Sequence, residues 1–203
     1  MKRFKKIFLK TLIVLFSGIF SFLATASVIE AASATKTLWV PQYYQGDTNW
    51  CWATSAKMVG DYLYGSRGSI LDIVYKITGS RDVLRAGSKI ETLKAVNYAS
   101  NYGNNYILAD ENHLGYWRYA TSINYGKPYV LLIENNRINR GHAIVGRGYK
   151  WVENGNSSDV HYIYINDPAK GTSYVNYAQF TSGVASGYRN WQIKHNIMAN
   201  GKY

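Results

Sequence analysis

The stretch QGDTNWCWATS, Gln45 to Ser55, holds the only cysteine of the chain, set between Trp50 and Trp52. A helix is predicted to open at this cysteine. From Cys51 onward the apolar residues Trp52, Ala56, Val59 and Leu63 recur at helical spacing. Just upstream, Asp47, Thr48 and Asn49 offer side chains able to cap the helix start. The thiol then falls in the first helical turn, where unsatisfied backbone N–H groups and the positive end of the helix dipole favour a thiolate over a thiol. Free cysteines most often serve as small buried hydrophobes, so position alone does not make Cys51 a reagent.

The context of that cysteine comes from the N-terminus. Lys2, Arg3, Lys5, Lys6 and Lys10 form a basic head, followed by the apolar run TLIVLFSGIFSFLA from Thr11 to Ala24. Small-residue cleavage signatures stand at Ala24-Thr25-Ala26 and Ala32-Ser33-Ala34, the pattern of a secretory signal peptide. The run is shorter than the roughly 20 residues of a comfortable membrane span, and no second apolar span follows. Residues 1–34 are therefore expected to be removed, with cleavage after Ala26 or Ala34. Residues 35–203 remain as one domain, long enough for a single substantial core. Five Lys/Arg and one Glu leave with the segment, so the net charge falls from +11 to +7. A lone cysteine permits no internal disulfide. In an exported protein it is either an intermolecular link or a reactive group, and export without disulfides suggests a bacterium.

Composition excludes several function classes. The basic residues are scattered singly, with no Lys/Arg run and no zinc-ligand spacing. A solvated cationic surface suited to an anionic cell envelope is the better reading than nucleic-acid binding. Gly146-Arg147-Gly148 lacks the third glycine of a dinucleotide fingerprint, and there is no phosphate-binding glycine loop. No cofactor or metal is expected, and the mature protein is expected to be a monomer.

Further helices are predicted through Ile70, Ile73, Val74 and Ile77, stopping at Gly79, and from the capping-box spacing Ser88-Lys89-Ile90-Glu91 through Leu93 and Val96. A shorter helix is predicted over Leu114 to Tyr125. The second half reads as strands: Tyr129–Glu134, His142–Tyr149, Val160–Ile165 and Trp191–Met198, with NNRINRG (Asn135–Gly141) as a turn. Helices first and antiparallel strands later define an α+β domain.

Three other residues give Cys51 a chemical context. Gln45 lies six positions before it, so its amide can turn back and join the Cys51 N–H around an oxyanion. His142 opens a strand from the second half, well placed to face a cysteine from the first. The strand Tyr162–Ile165 runs into Asn166-Asp167-Pro168, and either polar side chain can accept the Nδ1–H of His142. Strand alternation allows only one of the two to do so. Asp167 is preferred because a carboxylate holds an imidazolium better than a neutral amide, which leaves Asn166 to cap the turn before Lys170. His113, His161 and His195 are read as structural.

In the order Gln–Cys–His–Asp, with LWVPQYYQ (Leu38–Gln45), GHAIVGRGY (Gly141–Tyr149) and YINDPAKG (Tyr164–Gly171), the chain resembles the papain-like cysteine peptidases. It is most similar to the bacterial branch of bacteriocin-leader peptidases and secreted plant-pathogen effector proteases. The resemblance implies a papain-like fold, with Cys51 as nucleophile, His142 as base and acid, Asp167 as the group orienting it and Gln45 as oxyanion donor. Peptides or proteins are the implied substrates. The chain departs from the branch in its long WVENGNSSD loop (Trp151–Asp159), in Thr54, and in showing no transporter domain after the peptidase. Two other readings stand beside this one: a cell-wall amidase or endopeptidase of another Cys-His fold, and an inactive relative acting as a binding module.

Overall fold

The computed structural model describes residues 32–65, 68–101, 105–109, 112–155 and 158–201. The expected signal segment, save its last three residues, lies outside them. Among the described residues no helix is long and apolar enough to cross a membrane.

Helix α1 spans Cys51–Tyr64, and from Cys51 through Gly60 every residue but Lys57 is buried. Its start differs from expectation, because Trp50 is the N-cap and no side chain caps the helix. Thr48 and Asn49 are engaged in loop contacts instead. Thr48 Oγ1 donates to Gln45 O at 2.6 Å, and Asn49 Nδ2 donates to Leu84 O at 2.9 Å. The first N–H groups of α1 have no partner inside the helix. Helix α2 (Ile70–Thr78) starts at a Ser69–Asp72 capping box and stops at Gly79 in the left-handed region. Helix α3 (Lys89–Ala99) starts at the Ser88–Glu91 capping box predicted from the sequence. It lies against α1 so closely that a Cβ on Gly60 would stand 2.6 Å from Ala99 O. Helix α4 covers Tyr116–Asn124, inside the predicted range, and a short α5 covers Tyr177–Thr181.

The strands are β1 (Ser33–Thr37), β2 (Tyr106–Ala109), β3 (Tyr129–Asn135), β4 (Arg140–Val152), β5 (Val160–Asp167), β6 (Gly171–Asn176) and β7 (Trp191–Ala199). They form one antiparallel sheet in the order β2-β7-β3-β4-β5-β6, with β1 also paired to β4. The long β4 organises it. Its first half pairs with β3, its second half with β1, and β5 runs along its other edge. The core lies where α1 meets β3 and β4, and Ser55 Oγ donates to Ala143 O at 3.1 Å inside it. Helices before a mainly C-terminal antiparallel sheet make this an α+β, papain-like fold.

The unpredicted elements are the weakest in pattern. β1 and β2 are short, and β6 (GTSYVN) contains only two apolar residues, so none gives a clear alternation.

Candidate active site

The helix and the sheet bring a thiol and an imidazole together. Cys51, on the first turn of α1, is 7 % exposed, and the side chain of its neighbour Trp52 is buried in the core. His142 is the third residue of β4, and Asp167 closes β5. Val145 pairs with Asn166, so one step further in this register brings Asp167 opposite Ile144. His142, two residues along β4 from Ile144, shares that face with Asp167. Their side chains meet there: His142 Nε2 and Asp167 Oδ1 are 2.7 Å apart. The nitrogen is not the one expected. Nε2 takes the carboxylate, which leaves Nδ1 as the ring nitrogen able to serve Cys51, whose side chain lines the same two hollows.

Asp167 is fully buried and held by three donors. Besides His142, the Ala169 N–H donates to Oδ1 at 2.7 Å and the Tyr188 hydroxyl donates to Oδ2 at 2.6 Å. Burial alone would raise its pKa. The His142 hydrogen bond and charge, helped by Tyr188 and Ala169, outweigh burial and hold it below the ordinary carboxylate value. Burial alone would likewise lower the pKa of His142, but its bonds to Asp167 and Cys51 and their charges raise it from 6.5 to about 9. At neutral pH the pair is imidazolium and carboxylate.

Asn166, the alternative to Asp167, points the other way. Its Nδ2 donates to Val40 O at 2.9 Å and Pro41 O at 3.3 Å, and its Oδ1 accepts from Thr172 Oγ1 at 3.0 Å. It does not cap the turn before Lys170. That turn is closed by Asp167 itself, through the Ala169 N–H, in the two-residue reach of an Asx turn.

Gln45 lines the cleft beside Cys51 and His142. Its backbone N–H donates to Pro168 O at 3.0 Å, which ties the loop before α1 to the turn after β5. Its side-chain Nε2 donates to Thr48 O at 2.6 Å. Its buried Oε1 has no hydrogen-bond partner among the described residues.

Cys51 and His142 sit between two hollows. The first, of about 250 Å³, lies between Trp52, Gly87, Leu132, Glu134, Lys194 and His195. The second, of about 350 Å³, is bordered by Gln45, Arg140, Lys170, Tyr188 and Trp191. One wall comes from the loop before α3. Trp50 Nε1 donates to Val83 O at 2.6 Å, and Arg85 grips Glu91 through two bonds of 2.9 and 2.6 Å. The Arg85 bonds hold the Glu91 carboxyl down to about 2.

Four contributors escaped sequence reasoning. Tyr188 lies in a loop without a motif, and Trp191, whose ring meets His142 edge-on at 6.0 Å, reads only as a strand start. His195, read as structural, lines the first hollow next to a bulge in β7 at Lys194, where the register against β3 shifts. The Ala169 N–H alone had a signal, the Asp-x-x turn geometry.

A thiol-bearing helix packed on an antiparallel sheet that presents His and Asp defines the papain-like class. The chain belongs to the Peptidase_C39-like family, whose model matches residues 37–196. Its fold is similar to the crystal structure of a provisionally assigned C39-like peptidase from Bacillus anthracis. The TM-score is 0.52 at 16 % identity, covering 83 % of this chain and 100 % of that one. At that identity the likeness concerns the fold. No curated protein matches the chain. Family membership suggests cysteine peptidase activity.

Proposed function

We propose that the protein is a secreted cysteine peptidase with Cys51, His142 and Asp167 as its triad. The observation that carries this reading is the placement of His142, bonded to Asp167 through Nε2 and lining the same two hollows as Cys51. The thiolate attacks the substrate carbonyl carbon and forms a tetrahedral oxyanion. The Cys51 N–H, at the open end of α1, and the second Nε2–H of Gln45 are the donors for that oxyanion. The His142 imidazolium gives its Nδ1 proton to the leaving amine as the C–N bond breaks. The neutral imidazole then takes a proton from water as water attacks the thioester, and the acid product leaves with the thiolate restored.

The second hollow carries Arg140 and Lys170 and no carboxylate among the described residues that line it. Substrates with negative charge on that side of the scissile bond fit it best. For the signal segment, cleavage after Ala26 leaves β1 whole, whereas cleavage after Ala34 removes its first two residues and their pairing with Val152 and Trp151.

A peptide-library digest with wild type beside Cys51→Ala tests the reading. Cleavage by wild type alone, enriched for acidic residues on one side of the cut, is expected. Release of peptidoglycan fragments with the library left intact would replace peptidase with cell-wall hydrolase.

A further inference from the structure

The triad carboxylate has a third partner for which catalysis by Cys51, His142 and Asp167 gives no account. Tyr188 sits in the loop between α5 and β7, 3 % exposed, with its hydroxyl 2.6 Å from Asp167 Oδ2. Much of the loop's bonding holds it there. The Tyr188 N–H donates to Ala185 O at 3.0 Å, the Trp191 N–H donates to Tyr188 O at 3.0 Å, and the Asn190 N–H donates to Gly183 O at 2.7 Å. The ring packs edge-on against the buried Phe180 at 5.4 Å. Lys170 places its ammonium 4.0 Å from the ring centre and donates to Gly187 O at 2.5 Å. A cation over the ring withdraws electron density from the phenol and strengthens its O–H as a donor.

We propose that Tyr188 is a positioning residue of the triad, fixing the Asp167 carboxylate so that Oδ1 stays aimed at His142. Rotation of a carboxylate about its last torsion is soft, and a buried oxygen left bare is costly. With Oδ2 taken by Tyr188 and Oδ1 shared by Ala169 and His142, only one orientation satisfies every partner. The phenol does not compete for the negative charge, because burial and the Asp167 charge push its pKa far above the ordinary tyrosine value. The titratable and charged groups that bear on Asp167 are His142 from β4 and Tyr188 from the loop. Lys170 acts on it through the Tyr188 ring, and Cys51 from α1 acts through His142.

The assignment rests on the triad reading, but its test does not need a peptide substrate. The rate of Cys51 alkylation by iodoacetamide, followed against pH, reports the thiolate–imidazolium pair directly. In Tyr188→Phe the carboxylate loses a donor to its charged form, so Asp167 holds its proton to higher pH. The acid edge of alkylation should move upward by about half a pH unit or more. In a double-mutant cycle, Tyr188→Phe should change alkylation about tenfold in the wild-type background and under twofold when Asp167 is already Ala. Should Tyr188→Phe fail to fold, 3-fluorotyrosine at position 188 keeps the shape and makes the phenol a stronger donor. The acid edge should then move the opposite way, to lower pH. An unmoved edge in either variant, or effects that simply add in the cycle, would reduce Tyr188 to packing and overturn the proposal. If the cycle couples while the peptide library stays uncut, the peptidase reading fails and the positioning role stands.

Discussion

The two ends of the site are finished to different degrees. At the carboxylate end every oxygen of Asp167 is engaged, by three donors at 2.6 to 2.7 Å, and the side chain is wholly buried. At the proposed oxyanion end Gln45 commits its amide nitrogen to Thr48 O, and its buried Oε1 has no hydrogen-bond partner among the described residues. A bare buried polar atom costs about 1–3 kcal/mol, so the second arrangement is the less settled one. The contrast has a chemical logic. On the proposed mechanism the imidazolium–carboxylate pair must exist before substrate arrives, because it supplies the proton that the leaving amine takes. An oxyanion exists only after attack, and contacts that strengthen only then lower the barrier without tightening substrate binding. The protein completes the charged end in its resting state, and on the proposed mechanism the other end is completed by the reaction.

The largest expected effect is at the finished end. Asp167→Ala should lower kcat by about 10³- to 10⁴-fold, the scale for a triad acid. It should also pull the alkaline limb of the pH–rate profile down from near 9, since His142 loses the partner that raises it. A limb that stays near 9 in this variant would show that Cys51, and not Asp167, sustains the imidazolium.

The same pair makes a stability prediction. His142 has a raised pKa when folded, so its contribution is complete below its unfolded value of about 6.5 and is lost as pH rises through about 9. Asp167 has a lowered one, so its contribution is complete above the unfolded value of about 3.9 and is lost as pH falls through its depressed folded value. Melting temperature should therefore plateau between these unfolded values and fall on both sides. In Asp167→Ala the fall on the alkaline side should flatten. An unchanged alkaline slope would mean that other groups set it.

Gln45→Ala should act less strongly, lowering kcat by roughly ten- to a thousandfold with KM nearly unchanged. A change confined to KM would move Gln45 from the oxyanion to substrate binding. An effect larger than that of Asp167→Ala would invert the contrast between the two ends.

The contrast also marks what the sequence could disclose. The α+β order, the extent of α1 and the long strand through His142 were legible because their periodicity is strong and local. The choice of Asp167 over Asn166 rests on charge and on the resemblance, which puts the acid at the Asp-Pro position; strand alternation says only that one of the two can face His142. The ring nitrogen was not legible, since which nitrogen meets the carboxylate depends on the side-chain torsions of His142 between α1 and β5. Nor was the absence of a side-chain cap on α1, where Thr48 closes the Gln45 loop, although the residue type suits either task. Tyr188 was the hardest to find. It lies 21 positions from Asp167 in a loop whose course is fixed by β6 and α5, elements with little pattern of their own.

The smallest effect on activity should come from the residue next to the largest. Asn166 is 1 % exposed and turned away from His142, with its amide binding the carbonyls of Val40 and Pro41 and its oxygen taking the Thr172 hydroxyl. Those bonds fasten the lead-in segment to β5, and that segment continues into Gln45. Asn166→Ala strands the buried Val40 carbonyl and removes the partly buried bonds to Pro41 O and the Thr172 hydroxyl, which should cost about 1–3 kcal/mol of stability. It leaves the His142–Asp167 bond untouched. Melting temperature should drop while kcat stays within a few-fold of wild type and the alkaline limb remains near 9. Any loss that does reach kcat should arrive through the lead-in, at the Gln45 end, and should shrink when Gln45 is already Ala. A folded but inactive Asn166→Ala, beside an Asp167→Ala that keeps its rate, would transfer the third role in the triad to Asn166 and undo the contrast from which these expectations come.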